Sequence, residues 1–287
     1  GNQQGTDRVQ VTDSLNNTAF VDVNVTTSLR VSPVTLTAFP PRGAQVFTGS
    51  GGSGMGFTWA LQTNASGATF NPTTAAYQAG PLGGVTDVIR LTDSLNNTAT
   101  ATITLGPAVS ISPAAPAATP RGALTFTATG GSSSGFTWSL QANPSGGTIG
   151  AGGMYVAGTT GGVTDVVLVT DSLGNTATAA VTVGAGVTIS PPTVMLAPRD
   201  STPLTAMGGS GTGFSWAFVT NASMGSLNAG TGVYRAGSLG AVTDVVQVTD
   251  SLGNVAQRDI EVTAGVTITP DAGSAPPRGT LALVAMG

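Results

Sequence analysis

The sequence predicts an all-β chain, a tandem array of antiparallel β-sandwiches with about 79 residues in each repeat. Three observations predict it. The block Thr-Asp-Ser-Leu-(Asn/Gly)-Asn occurs four times, with its aspartate at Asp13, Asp93, Asp171 and Asp250, separations of 80, 78 and 79. Phe-x-Trp recurs in step at Phe57/Trp59, Phe136/Trp138 and Phe214/Trp216, as do Tyr77, Tyr155 and Tyr234 and the Pro-Arg pairs ending in Arg42, Arg121, Arg199 and Arg278. No segment carries helical periodicity, whereas short alternating segments are parted by turn signals about every 8–12 residues. A period this long is a whole small domain. It places full repeats at 28–106, 107–184 and 185–264, between a partial copy at 1–27 (its last two strands) and another at 265–287 (its first two).

Residues 107–184 show the elements in order. Val109–Pro113 is a short strand closed by a proline, which cannot donate to a ladder and so marks an edge or kink. After the Pro-Arg-Gly turn, residues 123–128 alternate as a second strand. In residues 136–140 the side chains of Phe136, Trp138 and Leu140 share one face, as do Phe57, Trp59 and Leu61, and Phe214, Trp216 and Phe218. This is expected to be the inner strand with the bulkiest core residues. Short strands follow near 147–149 and 154–156, then two longer ones at 163–170 and 175–183. The predicted core is Phe57, Trp59 and Tyr77; Phe136, Trp138 and Tyr155; and Phe214, Trp216 and Tyr234.

The turn joining the last two strands has a physical fingerprint. Its fourth residue is Asn16, Asn96, Gly174 or Gly253, and Asn and Gly are the residues that best tolerate positive φ. A short hairpin needs such a residue where its loop rejoins the ladder. The turn aspartates are expected to accept bonds from loop amides.

Gly-x-Gly-Phe-x-Trp, Gly-x-x-Tyr-x-Ala-Gly and Val-Thr-Asp-x-Val-x-Val-Thr-Asp-Ser-Leu-Gly-Asn-x-Ala together resemble bacterial immunoglobulin-like repeats, and the resemblance covers essentially the whole chain. Such repeats are strung together in very large secreted and cell-surface proteins, including those of gliding and predatory bacteria related to myxobacteria. The resemblance implies immunoglobulin-like sandwiches serving as stalks, adhesin shafts or filament walls, and it brings no catalytic residues. Two positions depart from the pattern: Pro203 falls inside a second strand, and Arg258 stands where other copies have Ala or Val.

Composition narrows the chemistry. The chain has no Cys and no His, and its nine basic residues are all Arg. That removes disulfides, thiolate and imidazole metal ligands, the usual acid–base residue, Schiff bases and Lys-Asn crosslinks. Charged residues make up 8% of the chain and the net charge is −4, which disfavours nucleic acid and anionic membranes as partners. No apolar run is long enough to cross a membrane as a helix. Few charges on a Thr-rich surface, without Lys or Cys, suit an extracellular or cell-surface protein.

A second aspartate precedes each turn aspartate by six residues: Asp7, Asp87, Asp165 and Asp244. Six residues of strand separate the two by roughly 20 Å. The first reading is turn capping or pairing with the Pro-Arg arginine. The lesser reading is calcium between consecutive domains, with Asp87 and Asp171, or Asp165 and Asp250, as ligands, although no acidic linker is present. Otherwise no cofactor is expected. The Pro-Arg loop lies at the pole facing the next domain in an immunoglobulin-like topology. Arg42, Arg121 and Arg199, with Asp93, Asp171 and Asp250, are therefore interdomain candidates, with Arg42–Asp171 and Arg121–Asp250 as pairs. An intradomain Arg42–Asp87 pair competes with them. Phe20 falls on the Thr face of its strand as a candidate exposed contact. Asn-x-Ser/Thr sequons at Asn16, Asn24, Asn64, Asn96 and Asn221 are expected by chance in so Asn- and Thr-rich a chain.

The expected function is a non-catalytic extracellular structural protein, a rod, stalk or filament subunit of the bacterial cell surface. Its partners are neighbouring repeats, other copies of the chain and an unknown surface ligand. One alternative is an adhesin whose repeats themselves bind a glycan or protein, with loops 50–55 and 130–134 as contacts. Another is a set of accessory modules of a larger secreted enzyme. Linkers at 106–107 and 184–186 are so short that adjacent domains should touch. The partial copies at either end lack Phe-x-Trp and the tyrosine. They read as a window on a longer polymer or as strands exchanged between subunits, the first being preferred because the joined pieces still lack the core strand.

Overall fold

The computed structural model describes residues 4–286, so the outermost limits proposed for the partial copies, residues 1–3 and 287, lie outside the described residues. The described residues contain strands and no helix. The chain divides into two compact units. One consists of Gly1–Pro113, Thr127–Ser139 and Leu168–Thr178, the other of Ala114–Phe126, Leu140–Val167 and Ala179–Gly287.

The first unit opens with a hairpin of β1 (Gly5–Thr12) and β2 (Thr18–Val25), paired antiparallel from Gly5↔Val25 to Thr12↔Thr18. It then holds a complete sandwich. Its strands are β3 (Arg30–Ser32), β4 (Thr35–Phe39), β5 (Ala44–Val46), β6 (Thr48–Ser50), β7 (Thr58–Thr63), β8 (Thr69–Asn71), β9 (Ala76–Gln78), β10 (Thr86–Thr92) and β11 (Thr98–Leu105). One layer is the sheet β4-β11-β10-β7, antiparallel except that β4 runs parallel to β11. The other is β5-β9-β8 together with the pair β3-β6. Only Phe47 separates β5 from β6, and its amide bonds Ala75 instead of continuing the ladder. Likewise β3 and β4 are one strand changing layers at Pro33, which has no N–H to donate. Counted this way, the repeat has the seven strands of an immunoglobulin-like sandwich.

Period-two alternation sorts the layers. Ile89 and Leu91 on β10 and Ala101, Ile103 and Leu105 on β11 are buried against Val31, Phe47 and Tyr77 from the facing layer. Tyr77 meets Phe47 edge-on, with ring centroids 6.3 Å apart, and Phe39 at 6.2 Å. The second unit repeats the plan at 185–264, with sheet orders that match strand for strand and a core of Ile189, Leu204, Tyr234, Val246, Val248 and Ile260. The strands of 107–184, divided between the units, have the same orders. The chain is thus a tandem array of immunoglobulin-like sandwiches.

One expectation needs correction. The strand bearing Phe-x-Trp is the edge of its sheet, not an inner strand; Phe57, Trp59 and Phe214 pack against the core as expected but are half-buried, as are Phe136 and Trp138. Trp216 is buried, and the most enclosed aromatics are Tyr77, Tyr155 and Tyr234. The short strand β4 and its counterparts Ala117–Ala118 and Met195–Leu196 had no forecast, being too brief to show a pattern. Pro203 ends a strand whose partner residue is Val233, and Arg258 stands in the inward row, sending its guanidinium out to the carbonyls of Pro192 and Ile189. Phe20 sits outward on the hairpin with the Arg8 guanidinium 5.7 Å from its ring centre.

Candidate functional site

Two carboxylates per repeat organise the molecule, in different places. Asp87 lies in phase with Ile89 and Leu91, so its strand aims it inward, and it is fully buried. It accepts bonds from the amides of Ala65 and Ser66 at 2.6 and 2.9 Å, from Ser66 Oγ at 2.5 Å and from Tyr77 OH at 2.6 Å. Ser66 Oγ in turn accepts from the Gly80 amide at 3.0 Å. Asp165 accepts from the Ser145 amide and hydroxyl and from Tyr155 OH, Pro144 standing where Ala65 has its amide, and Asp244 gathers Ser223 and Tyr234 as Asp87 gathers Ser66 and Tyr77. Burial pushes Asp87 up, but the Ser66 and Tyr77 hydroxyls and the two amides outweigh it and hold the carboxyl below the ordinary range; Asp244 follows the same balance. The three tyrosines are pushed up, first by burial and then by the carboxylate each one serves.

The turn aspartates behave otherwise. Asp93 Oδ1 accepts from the amides of Leu95 and Asn97, both at 2.9 Å. Its Oδ2 accepts from Asn97 Nδ2 at 2.9 Å and from the Ser53 amide at 2.7 Å. The fourth turn residue has positive φ in every copy, 65° at Asn16, 63° at Asn96 and 79° at both Gly174 and Gly253, as the sequence predicts. The glycine-rich loop at 51–56 is committed to this turn: a Cβ at Gly52 would stand 2.3 Å from Asp93 Oδ2, so only glycine lets Ser53 reach the carboxylate. Gly131 and Gly209 stand in the same relation to Asp171 and Asp250. The Asn97 side chain, then the amides of Ser53, Asn97 and Leu95, hold Asp93 at about 2. In Asp171 and Asp250 burial pushes upward, and the equivalent bonds overcome it to the same value.

Consecutive repeats meet at this turn. Asn175 Nδ2, already bonded to Asp171 Oδ2 at 2.9 Å, donates at 3.0 Å to the Pro41 carbonyl of the preceding repeat. Asn254 Nδ2 does the same between Asp250 Oδ2 at 2.9 Å and the Pro120 carbonyl at 3.1 Å. The acceptors are available because the Pro-Arg-Gly loop closes on its other carbonyl, the Gly43 amide bonding Pro40. Arg42, Arg121 and Arg199 adopt φ of 62°, 61° and 68°, and their amides bond Gly80, Gly158 and Gly237 within their own repeats. The junction removes surface from water. Leu95, on a turn with no such loop against it, is 71% exposed, whereas Leu173 and Leu252 are 39% and 40% exposed. Asn97 is exposed where Asn175 and Asn254 are buried.

This geometry corrects the sequence reading of the charges. The arginines form neither Arg42–Asp171, Arg121–Asp250 nor Arg42–Asp87; among the described residues the one ion pair is Arg8–Asp22, at 2.7 Å. The loop and the turn do meet, but through a proline carbonyl and an asparagine amide, with the Arg121 guanidinium lying alongside Gly253. Asp87 and Asp165 do cap a turn, accepting from the amides at 65–66 and at Ser145, but from inside the core, and they do not pair with arginine. They do not fit calcium either, since their oxygens are already taken by N–H and O–H donors, and no group of three or more acidic side chains gathers among the described residues. Sequence reading missed Ser66, Ser145 and Ser223 and the joint asparagines. Both sets were visible as recurrences in step with the period, within Asn-x-Ser and at the end of Asp-Ser-Leu-x-Asn.

Fold and junction together define a class: an array of immunoglobulin-like sandwiches linked by a repeated hydrogen-bonded joint. No protein-family model matches the chain, and no curated protein does. Among solved structures it is similar to extracellular cadherin domains 1–5 of protocadherin gamma B2, at 10% identity over 92% of this chain and 72% of that one, with a TM-score of 0.24. The human desmocollin-1 ectodomain matches at 12% identity over 90% and 62%, with a TM-score of 0.29. A C-terminal fragment of intimin, solved in complex with the intimin-binding domain of the translocated intimin receptor, matches at 16% identity over 56% and 65%, with a TM-score of 0.31. Scores this low carry no inference about this chain.

Proposed function

We propose that the chain is a non-catalytic spacer of an extracellular or cell-surface assembly, in which serial sandwiches hold a set distance through their joints. The observation that carries this reading is the bond from Asn175 to Pro41 and from Asn254 to Pro120, made by a side chain whose own carboxylate partner fixes its direction. Composition supports it: with no His, Cys or Lys, most acid–base, thiol and amine chemistry has no residue to perform it. The two carboxylates of each repeat are saturated with structural donors, and the glycine-rich loops suited to contacting a ligand are bound to the turns.

The test uses the absence of cysteine. Thr100→Cys and Thr178→Cys place spin labels on equivalent exposed positions of neighbouring repeats. A narrow distance distribution is expected in the parent chain and a visibly broader one with Asn175→Ala, because one bond and its aligned carboxylate are lost from the joint. Equal widths would sink the spacer reading.

A further inference from the structure

Methionine is ordinarily a core residue, its unbranched thioether filling gaps that stiffer side chains leave. Here it is kept out. Of the six methionines, Met55, Met154, Met195, Met207 and Met224 lie in complete repeats and are between 60% and 75% exposed. Met286 repeats the position of Met207. Every buried apolar side chain among the described residues is instead Ala, Val, Leu, Ile, Phe, Tyr or Trp. The other copies show that packing does not call for the sulfur. Met55 stands where they have Ser134 and Thr212, and Met207 where they have Ser50 and Thr129. Met224 stands where Gly67 and Gly146 take φ of 78° and 77°. It adopts 63°, a region that disfavours any side chain, and still buries little of itself. No two of the five share a strand or a loop, so they do not form one partner's footprint.

We propose that Met55, Met154, Met195, Met207 and Met224 are sites of reversible oxidation by hydroperoxides, so that the array consumes oxidant at its surface while its sandwiches stay folded. The thioether sulfur attacks one peroxide oxygen, a sulfur–oxygen bond forms and the O–O bond breaks. The departing hydroxide takes the proton of the transferred oxygen and leaves as water. Sulfur gives up two electrons and the peroxide is reduced by two. A dithiol reverses the step, becoming a disulfide as the sulfoxide oxygen leaves as water. In a core, the new oxygen would lack a hydrogen-bond donor and the sandwich would open. At these five positions water supplies the donor. Cysteine, the other sulfur residue that oxidants attack, is absent. The proposal goes beyond the spacer reading and uses none of the joint residues, so the two can fail separately.

The assay is hydrogen peroxide treatment of the full chain, read by intact mass, peptide mapping and calorimetry. All five methionines are expected to become sulfoxides before any indole changes, with the melting temperature unaltered. The two methionine sulfoxide reductases, one for each sulfoxide epimer, should restore the starting mass when supplied with a dithiol. Leu91→Met and Leu204→Met serve as controls, since each places sulfur in a closed core at nearly constant volume. The added methionine should resist peroxide while the chain is folded. Oxidised in urea instead, it should lower the melting temperature after refolding. Two controls in different repeats guard against one that fails to fold, and the parent chain decides the main outcome by itself. Any of the five left reduced in the folded chain, an oxidised parent chain that melts lower, sulfoxides that the reductases do not reverse, or a core methionine oxidised as fast as the five would each overturn the proposal.

Discussion

Consider removal of the buried carboxylate of the first complete repeat, Asp87→Ala. Four donors lose their acceptor: the amides of Ala65 and Ser66, Ser66 Oγ and Tyr77 OH. Water cannot replace it without opening the core, and each buried donor left unpaired costs about 1–3 kcal/mol. The sum is at least about 4 kcal/mol, which approaches the whole stability expected of a domain this small, about 4–12 kcal/mol. Tyr77→Phe should cost less, about 1.5–3 kcal/mol, because it deletes one charge-assisted bond and leaves the carboxylate three donors. The double variant separates this account from simple loss of packing. Once Tyr77 has lost its hydroxyl, Asp87→Ala orphans one donor fewer, so the combined cost should fall short of the sum by about 1–3 kcal/mol. The assay is urea unfolding followed by Trp59 fluorescence in a Trp138→Phe/Trp216→Phe background, where that indole reports its own repeat. Additive costs, or an Asp87→Ala variant losing less than about 1 kcal/mol, would refute the reasoning.

Two further outcomes follow from the turn aspartates. Asp93, Asp171 and Asp250 are held at about 2 from an ordinary 3.8, so their contribution is fully present above the unfolded value and is lost as pH falls toward 2. With no histidine, the chain should show flat stability between about pH 5 and 7 and a decline confined to the acid side, read from melting temperature against pH. Gly131→Ala, whose Cβ would stand 2.2 Å from Asp171 Oδ2 at a backbone φ of 59°, should destabilise its repeat by about 1–3 kcal/mol, whereas Gly152→Ala, with open space around it, should not. Calorimetry of the two variants side by side decides it.

Much of the fold could be read from the chain because the period is long and each copy repeats the same test. The strands forecast at 154–156 and 163–170 match the structure, and the forecast 175–183 begins one residue early. The left-handed residue of each turn was legible because few residues tolerate that conformation. The charges misled. Asp87 was placed only by the length of strand that parts it from Asp93, although its two-residue spacing from Ile89 and Leu91 already put it on the inward row. The joint was assigned to arginines because opposite charges invite pairing. A backbone carbonyl carries no mark in a sequence, and Pro41 and Pro120 act through theirs.

The joint has a consequence for how such a chain can change length. Acceptor and donor sit at opposite poles of every module, in the same chemical form, so any module can follow any other. Duplicating or excising one whole period by recombination would regenerate an identical seam at the splice. Losing half a period would leave mismatched poles, so growth by whole modules is the change such an architecture tolerates.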